Sequence, residues 1–428
     1  MKRSFSFYVY SLLLSFIFCS QSLFAQDTAQ YIVPGRVNSI DQMDKPYVIL
    51  ISADGFRYDL AMRYEAKNLL QLSSVGVEAT SMQPSYPTLT FPNHYSIVTG
   101  LYPSHHGIVD NRFYDPRKKK FYAINKRSEV QDGAWYGGTP LWVLAEKQKM
   151  LSASFYWIGS ESAVDNVRPT YYFNYSEAFS FDRRLQILKD WLQLPEEKRP
   201  HLITFYFPEV DHAEHTFGVY SKETENSVLF IDSAIGKMNM MAAKAQLPIN
   251  FVFVSDHGFT DADTVNTISL PKAIDTNKFI ISTGSSLVHL YAKNKKDILP
   301  TYNAIKKIEK NYQTYLSTNV PERWHYGKAD DKFNRIGDII LVAEIPYIFY
   351  SGGRKSVGAH GYDNYLPEMQ STFYAWGPAF KQNLKINNFQ NVHVYPLIAH
   401  ILGLQYDFKI DGKLEALKRI LDESILNE

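Results

Sequence analysis

Cysteine is almost missing from this 428-residue chain, with Cys19 as its single example. A disulfide scaffold and a thiolate metal cluster are therefore both excluded. Excess charge of either sign is missing too: 45 Lys and Arg stand against 44 Asp and Glu, a formal net charge of +1. That balance gives no electrostatic reason to expect a stable nucleic-acid partner or adhesion to an anionic membrane. Internal repeats, low-complexity tracts and an evident linker are also lacking. A hydrophobic content of 45% with 15% aromatics excludes a disordered chain. Over this length it can fill one large α/β domain or two or three ordinary ones.

What is present begins with an export signal. Lys2 and Arg3 supply a positive start, Phe5 to Phe24 is apolar with scattered serines, and Ala25 is a small residue suited to cleavage before Gln26. An uncleaved anchor is the rival, since about 20 apolar residues can span a bilayer. The serines and the lack of a positive stop-transfer flank favour cleavage. Lipidation at Cys19 fits less well, because the bulky Phe18 stands where a small residue is needed. Cleaved, the chain has neither cysteine nor membrane segment, which suits a bacterial periplasm or the extracellular space. The expected division is a signal peptide over 1–25, an irregular segment over 26–45, a catalytic domain over 46–405 and a C-terminal segment over 406–428. The oligomeric state is not legible.

Tyr47-Val-Ile-Leu-Ile-Ser52, Leu202-Ile-Thr-Phe-Tyr-Phe207 and Phe251-Val-Phe-Val-Ser255 are nearly continuous apolar runs, as strands buried on both faces require. Between the last two, Val228, Ile231, Ile235 and Met238 recur at helical spacing. This βαβ pattern predicts an α/β fold, a mostly parallel sheet with helices on both faces. The stretch from Asn277 to Trp324 is less regular and reads as an insertion or small cap.

Chemistry-bearing residues follow the strands. The first runs into Asp54, the second into Asp211-His-Ala-Glu-His215, the third into Asp256-His257. Ligands of open α/β sheets bind beyond the carboxyl ends of the strands. Asp211 and His215 are one helical turn apart. His360, in Gly358-Ala-His-Gly361, is a further contributor whose glycines permit close backbone approach. Any one such Asp is most often a helix cap, and any one His an ordinary polar residue. His212 and Glu214 are left in that ordinary class, with a supporting role open to either. Six together exceed the ligand set of one zinc and suit two ions. Imidazole and carboxylate without sulfur favour Zn²⁺, with Mn²⁺ or Fe as possible substitutes.

A second constellation is Pro87-Thr-Leu-Thr90-Phe-Pro-Asn-His94. Pro92 suits a first helical turn, which places Thr90 at a helix N-terminus where an anion is favoured. A Thr hydroxyl there is either a cap or a nucleophile activated by metal or base. Thr88 competes from two residues earlier.

Asp54-Gly-Phe-Arg57, Thr90-Phe-Pro-Asn-His94, Gly107-Ile-Val-Asp-Asn111, Asp211-x-x-x-His215, Ser255-Asp-His-Gly258 and Gly358-Ala-His-Gly-Tyr-Asp-Asn364, in this order, resemble the nucleotide pyrophosphatase/phosphodiesterase family of the alkaline phosphatase superfamily. The resemblance runs from about Tyr47 to Leu404. It implies two Zn²⁺ per chain, one on Asp211, His215 and His360 and one on Asp54, Asp256 and His257 with Thr90 touching it. It further implies that Thr90 is the nucleophile of a covalent phosphothreonine intermediate and that Asn111 holds a phosphate oxygen. Phe91 matches the aromatic that stacks on a nucleobase. Tyr175 matches the opposite wall, with Tyr171 and Tyr172 as close competitors. The cysteine-rich and nuclease-like domains of vertebrate secreted members are missing, so the chain looks like a bare catalytic domain of bacterial type.

The implied function is hydrolysis of small nucleotide phosphodiesters and phosphoanhydrides to nucleoside 5′-monophosphates. Three alternatives remain, of which a non-enzymatic metal-bound carbohydrate or cell-surface binder would predict a missing nucleophile or ligand, and none is missing. A choline-type phospholipid-headgroup diesterase would use the abundant tyrosines as an ammonium cage. A phosphomonoesterase would need an added cationic residue, for which Arg57 is the one motif arginine.

Overall fold

The computed structural model describes residues 28–350, 352–353 and 355–426. The whole expected signal peptide, with Lys2, Arg3, Cys19 and Ala25, lies outside them. Among the described residues no helix is long and apolar enough to cross a membrane.

The centre is a nine-stranded sheet in the order Gln30–Ile32, Tyr171–Phe173, Ser152–Phe155, Leu202–Phe207, Tyr47–Ala53, Ile249–Val254, Phe373–Trp376, Val77–Ala79, Leu384–Ile386. The neighbours from Tyr171–Phe173 to Ile249–Val254 are parallel, as the apolar runs predicted. Antiparallel pairs lie towards the two edges. The strand Tyr47–Ala53 is buried at every position because both faces are covered. Its Ile49 and Ile51 pack with the helices Lys67–Val75, Phe181–Leu192 and Lys222–Ala245, while Val48 and Leu50 pack with Thr90–Thr99, Leu141–Lys147 and Val394–Ile401. Each such aliphatic side chain, fully withdrawn from water, contributes about 1.5–3 kcal/mol. Helical spacing at Val228, Ile231, Ile235 and Met238 is realised in Lys222–Ala245, where all four are buried.

Two local expectations need correction. The segment 26–45 is not irregular throughout: Gln30–Ile32 pairs with Tyr171–Phe173 and Ile40–Met43 forms a helical turn. An edge strand needs one partner and little burial, so it leaves a weak apolar pattern. The stretch 277–324 is also more regular than its sequence suggests. It supplies three of the four strands of an antiparallel sheet, in the order Phe279–Thr283, Leu287–Ala292, Ile339–Ala343, Tyr312–Leu316. That sheet has its own core around Val288, Leu290, Ile339 and Leu341. Beyond 406, Leu417, Ile420 and Leu421 are buried in the main core.

Candidate active site

Three adjacent parallel strands end at one edge of the sheet. Asp54 follows Tyr47–Ala53 directly, and Asp256 follows Ile249–Val254 after one serine. Leu202–Phe207 enters the helix Glu209–Phe217, which carries Asp211 and His215. Backbone bonds fix the junction: Asp54 N–H donates to Phe207 O at 2.9 Å and Asp211 N–H to Asp54 O at 3.1 Å. His360 arrives from far along the chain on a short ladder, Gly358–Ala359 against Thr260–Asp261. The next residue, Gly361, has φ +97°, and a Cβ there would strike Ser286 and Leu89. Only glycine lets this loop turn so close to its neighbours.

Two triads result. Asp211 Oδ1 lies 3.5 Å from His215 Nε2 and 3.7 Å from His360 Nε2, and the two Nε2 atoms are 3.2 Å apart. His257 Nε2 lies 2.9 Å from Asp256 Oδ2 and 3.6 Å from Asp54 Oδ1. Within each triad the potential ligand atoms are all within 4.8 Å of one another. The Nδ1 atoms point elsewhere: His257 to Gly258 O at 3.0 Å, His360 to Thr88 O at 2.9 Å, His215 to Ser356 Oγ at 2.7 Å and Gly358 O at 3.2 Å. Donation from Nδ1–H fixes the tautomer and turns the Nε2 lone pair to the site. Asp54 Oδ1, Asp211 Oδ1 and Asp256 Oδ2 are buried with nothing to accept a hydrogen bond from. A carboxylate oxygen is costly to bury in that way unless a cation takes it. The donors present thus fit one divalent cation in each triad.

The electrostatics agree. Burial, then repulsion by Asp256 and Asp211, pushes the Asp54 carboxyl well above its ordinary range. Burial also acts to raise Asp256, but His257 and His94 outweigh it and hold that carboxyl well below the usual range. Burial, with His257 and His215 nearby, lowers His360 well below an ordinary imidazole and keeps it neutral. Carboxylates so crowded call for positive charge.

Thr90 opens the helix Thr90–Thr99, with Leu89 at the cap position and Gly100 closing it at φ +67°. The Thr90 hydroxyl makes no cap; its Oγ1 lies 3.3 Å from His257 Nε2. Thr88 is different. Its buried hydroxyl donates to Tyr362 O at 3.0 Å and accepts from Gly361 N–H at 2.9 Å. Asn111 Oδ1 accepts from Phe91 N–H at 3.0 Å, so the amide NH₂ is left on its other limb as a donor.

A cavity of about 450 Å³ opens from Asp54, Thr90 and Asp211. Phe91, Tyr175, Tyr156, Trp157 and Tyr206 supply aromatic lining, with Glu161, Glu177 and Arg127 among the polar groups. Tyr175 is held by its N–H to Glu161 and its hydroxyl to Glu177 at 3.1 Å. Of its competitors, Tyr171 is buried with its hydroxyl on Lys198 O, and Tyr172 stacks on Tyr31; neither lines the cavity. Arg57 turns away, forking onto Asp59 at 2.6 and 2.9 Å and donating to Phe259 O.

Some site residues escaped sequence reasoning. Tyr206 donates to Asp54 Oδ2 at 2.6 Å; its hydroxyl, near the end of an apolar strand, was the available signal. His94 Nδ1 lies 2.9 Å from Thr90 O and 3.4 Å from Asp256 Oδ2, although the motif containing it was in view. Ser356 gave no signal. Glu214 is fully buried with neither oxygen bonded, and burial followed by Asp211 raises its carboxyl well above normal. His212 is exposed at the cavity.

The α/β sheet thus gathers two carboxylate–imidazole triads beside a helix-borne hydroxyl. Residues 48–363 match the sequence profile of the family described as type I phosphodiesterase / nucleotide pyrophosphatase. An uncharacterized pyrophosphatase/phosphodiesterase of Schizosaccharomyces pombe is 33% identical over 87% of this chain and 80% of its own. Ectonucleotide pyrophosphatase/phosphodiesterase family member 1 of Mus musculus is 31% identical over 90% of this chain, which spans 44% of that protein. Murine ectonucleotide pyrophosphatase/phosphodiesterase 5, solved as an inactive threonine-to-alanine variant in complex with AMP, superposes with a TM-score of 0.82 at 27% identity over 88% of this chain and all of its own. The chain belongs to the type I phosphodiesterase/nucleotide pyrophosphatase family.

Proposed function

We propose that this protein is an exported phosphodiesterase that splits nucleotide phosphodiester and phosphoanhydride bonds to release nucleoside 5′-monophosphates. The observation that carries this reading is the Thr90 hydroxyl, uncommitted to any cap, 3.3 Å from His257 of one triad, on a residue that lines an aromatic cavity. Asp211, His215 and His360 would hold one cation and Asp54, Asp256 and His257 the other, with Zn²⁺ best matched to the donors. When bound, the ions supply Lewis acidity that neutralises phosphoryl charge and makes hydroxyl groups more acidic.

Thr90 Oγ1 attacks phosphorus, and the bond to the leaving alcohol or phosphate breaks as the new ester forms. The leaving group takes up a proton. Water then cleaves the nucleotidyl ester, restoring the Thr90 hydroxyl. The Asn111 NH₂ donates to a phosphoryl oxygen as its charge grows. Phe91 and Tyr175 hold the base by stacking, which tolerates any base. The AMP bound to the inactive relative supports a nucleotide in such a cavity. Residues 1–25 act as the cleaved export leader and 46–405 as the catalytic domain, in keeping with relatives named ectonucleotide enzymes. Acid quenching during turnover of a labelled nucleotide should leave label on the peptide that contains Thr90. No trapped label, together with inversion at phosphorus, would overturn the covalent route.

The acidic and aromatic lining gives one specific reason to test a cationic headgroup as well. Both carboxylates are engaged by Tyr175, which favours the nucleotide. Monoester hydrolysis is disfavoured because Arg57 is committed to Asp59. Rates on bis-p-nitrophenyl phosphate, p-nitrophenyl phosphate and a choline phosphodiester separate the three.

A further inference from the structure

Asn111 stands on a loop that the large sheet does not support. Its neighbours on both sides are instead gripped by the smaller sheet. On one side Asp110, 4% exposed, has Oδ2 3.4 Å from Nε2 of the fully buried His289, on the strand Leu287–Ala292. On the other side Ser282, on Phe279–Thr283, donates to Arg112 O at 2.6 Å and accepts from Arg112 Nη1 at 3.1 Å.

Which His289 nitrogen carries the hydrogen is fixed by its other contact. Gly337 N–H donates to His289 Nδ1 at 3.2 Å, so Nδ1 is the acceptor and Nε2 carries the hydrogen. That hydrogen faces Asp110 Oδ2 and the Tyr326 hydroxyl, 3.3 Å away. Tyr326 in turn donates to Val109 O at 2.6 Å, and Asp110 Oδ1 accepts from Arg112 N–H at 3.1 Å. On either side of Asn111 the backbone is thus held, Val109 O by Tyr326, which bears on His289 of the smaller sheet, and Arg112 O by Ser282 of that sheet. The Asn111 side chain itself reaches Phe91 N–H.

We propose that His289 is a positioning residue for phosphoryl transfer, acting through its hydrogen bond to Tyr326 and its proximity to Asp110 to hold the Asn111 amide in place. The inference rests on the reading of Asn111 as the donor to a phosphoryl oxygen. It gives the smaller sheet a function, as a rigid mount for that donor. A donor misplaced by a fraction of an ångström loses most of its preference for the transition state, while substrate still enters the cavity.

The test is a double-variant cycle on the metal-loaded enzyme, with bis-p-nitrophenyl phosphate as substrate. His289→Phe should lower kcat about 10- to 100-fold, the range of other supporting-residue losses, with KM and metal content nearly unchanged. His289→Gln, whose amide carries a donor at similar reach, should recover most of that loss. Where Asn111 is already alanine, His289→Phe should cost less than about twofold, because the group it positions is gone. Losses that multiply in the double variant, or unchanged kcat in His289→Phe, overturn the inference. If Asn111→Ala alone keeps full kcat, the reading of Asn111 fails on its own account, and the inference with it. Should His289→Phe not fold, Tyr326→Phe, which removes only a hydroxyl, takes its place in the cycle, and the same outcomes support or overturn the inference.

Discussion

The imidazoles of His257 and His360 stack face to face, 3.7 Å between ring centroids and 15° from parallel. They belong to different triads, so the two candidate cation sites share a wall of two aromatic rings. Full burial of His257 and near-full burial of His360 make that wall rigid.

Elemental analysis of protein purified without chelator should accordingly find about two zinc-like equivalents per chain. His215→Ala should remove roughly one, leaving the triad of Asp54, Asp256 and His257 loaded. A single tightly bound Mg²⁺ with full activity would contradict the assignment.

The two threonines should separate cleanly. Thr90→Ala should cut kcat by at least about a thousandfold while melting temperature and metal content stay as they were. Thr88→Ala leaves Gly361 N–H without its acceptor and should cost about 1–3 kcal/mol in stability, with turnover retained by the folded fraction. Denaturant melts beside single-turnover rates decide it, and the reverse pattern would name Thr88 as the nucleophile.

Phe91→Ala should raise KM for a nucleotide diester roughly 5- to 150-fold, the equivalent of about 1–3 kcal/mol of base stacking. A diester without a base should be affected much less. Tyr175→Ala should give a smaller rise, because that residue is 36% exposed. Equal losses on both substrates would assign Phe91 to positioning the Thr90 helix.

His106 supplies a pH prediction away from the triads. It is fully buried under the same helix, with Nε2 3.0 Å from Ser96 Oγ and 3.2 Å from Pro92 O. Burial lowers its pKa from 6.5 to about 3. Below 6.5 the unfolded chain binds a proton that the folded chain refuses, so stability falls as pH drops from there towards 3. Between pH 7 and pH 5 the loss from this group is about 2 kcal/mol. Urea melts across that range should show a shallower pH slope for His106→Gln than for the parent, and identical slopes would remove His106 as the cause.

Continuous apolar runs made the central strands legible, since a strand covered on both faces needs no alternation. The same logic placed Asp54, Asp211 and Asp256 at one edge. Edge strand Gln30–Ile32 and the smaller sheet were not legible. One is exposed; in the other the two outer strands are half-covered and long connections separate the strands.

The sequence by itself determined the parallel core, the candidate ligand types and the ordered motifs, because these depend on side-chain chemistry and on spacing along the chain. It left Thr88 and Thr90 as rivals, and likewise Tyr171, Tyr172 and Tyr175. Only the tertiary structure decided which hydroxyl is spent on Tyr362 O and which lies beside His257, and which tyrosine lines the cavity. Likewise nothing within Gly107-Ile-Val-Asp-Asn111 points to His289, 178 positions beyond Asn111. Hydrogen bonds act over about 3 Å, so partners distant in sequence become visible once the chain has folded them together.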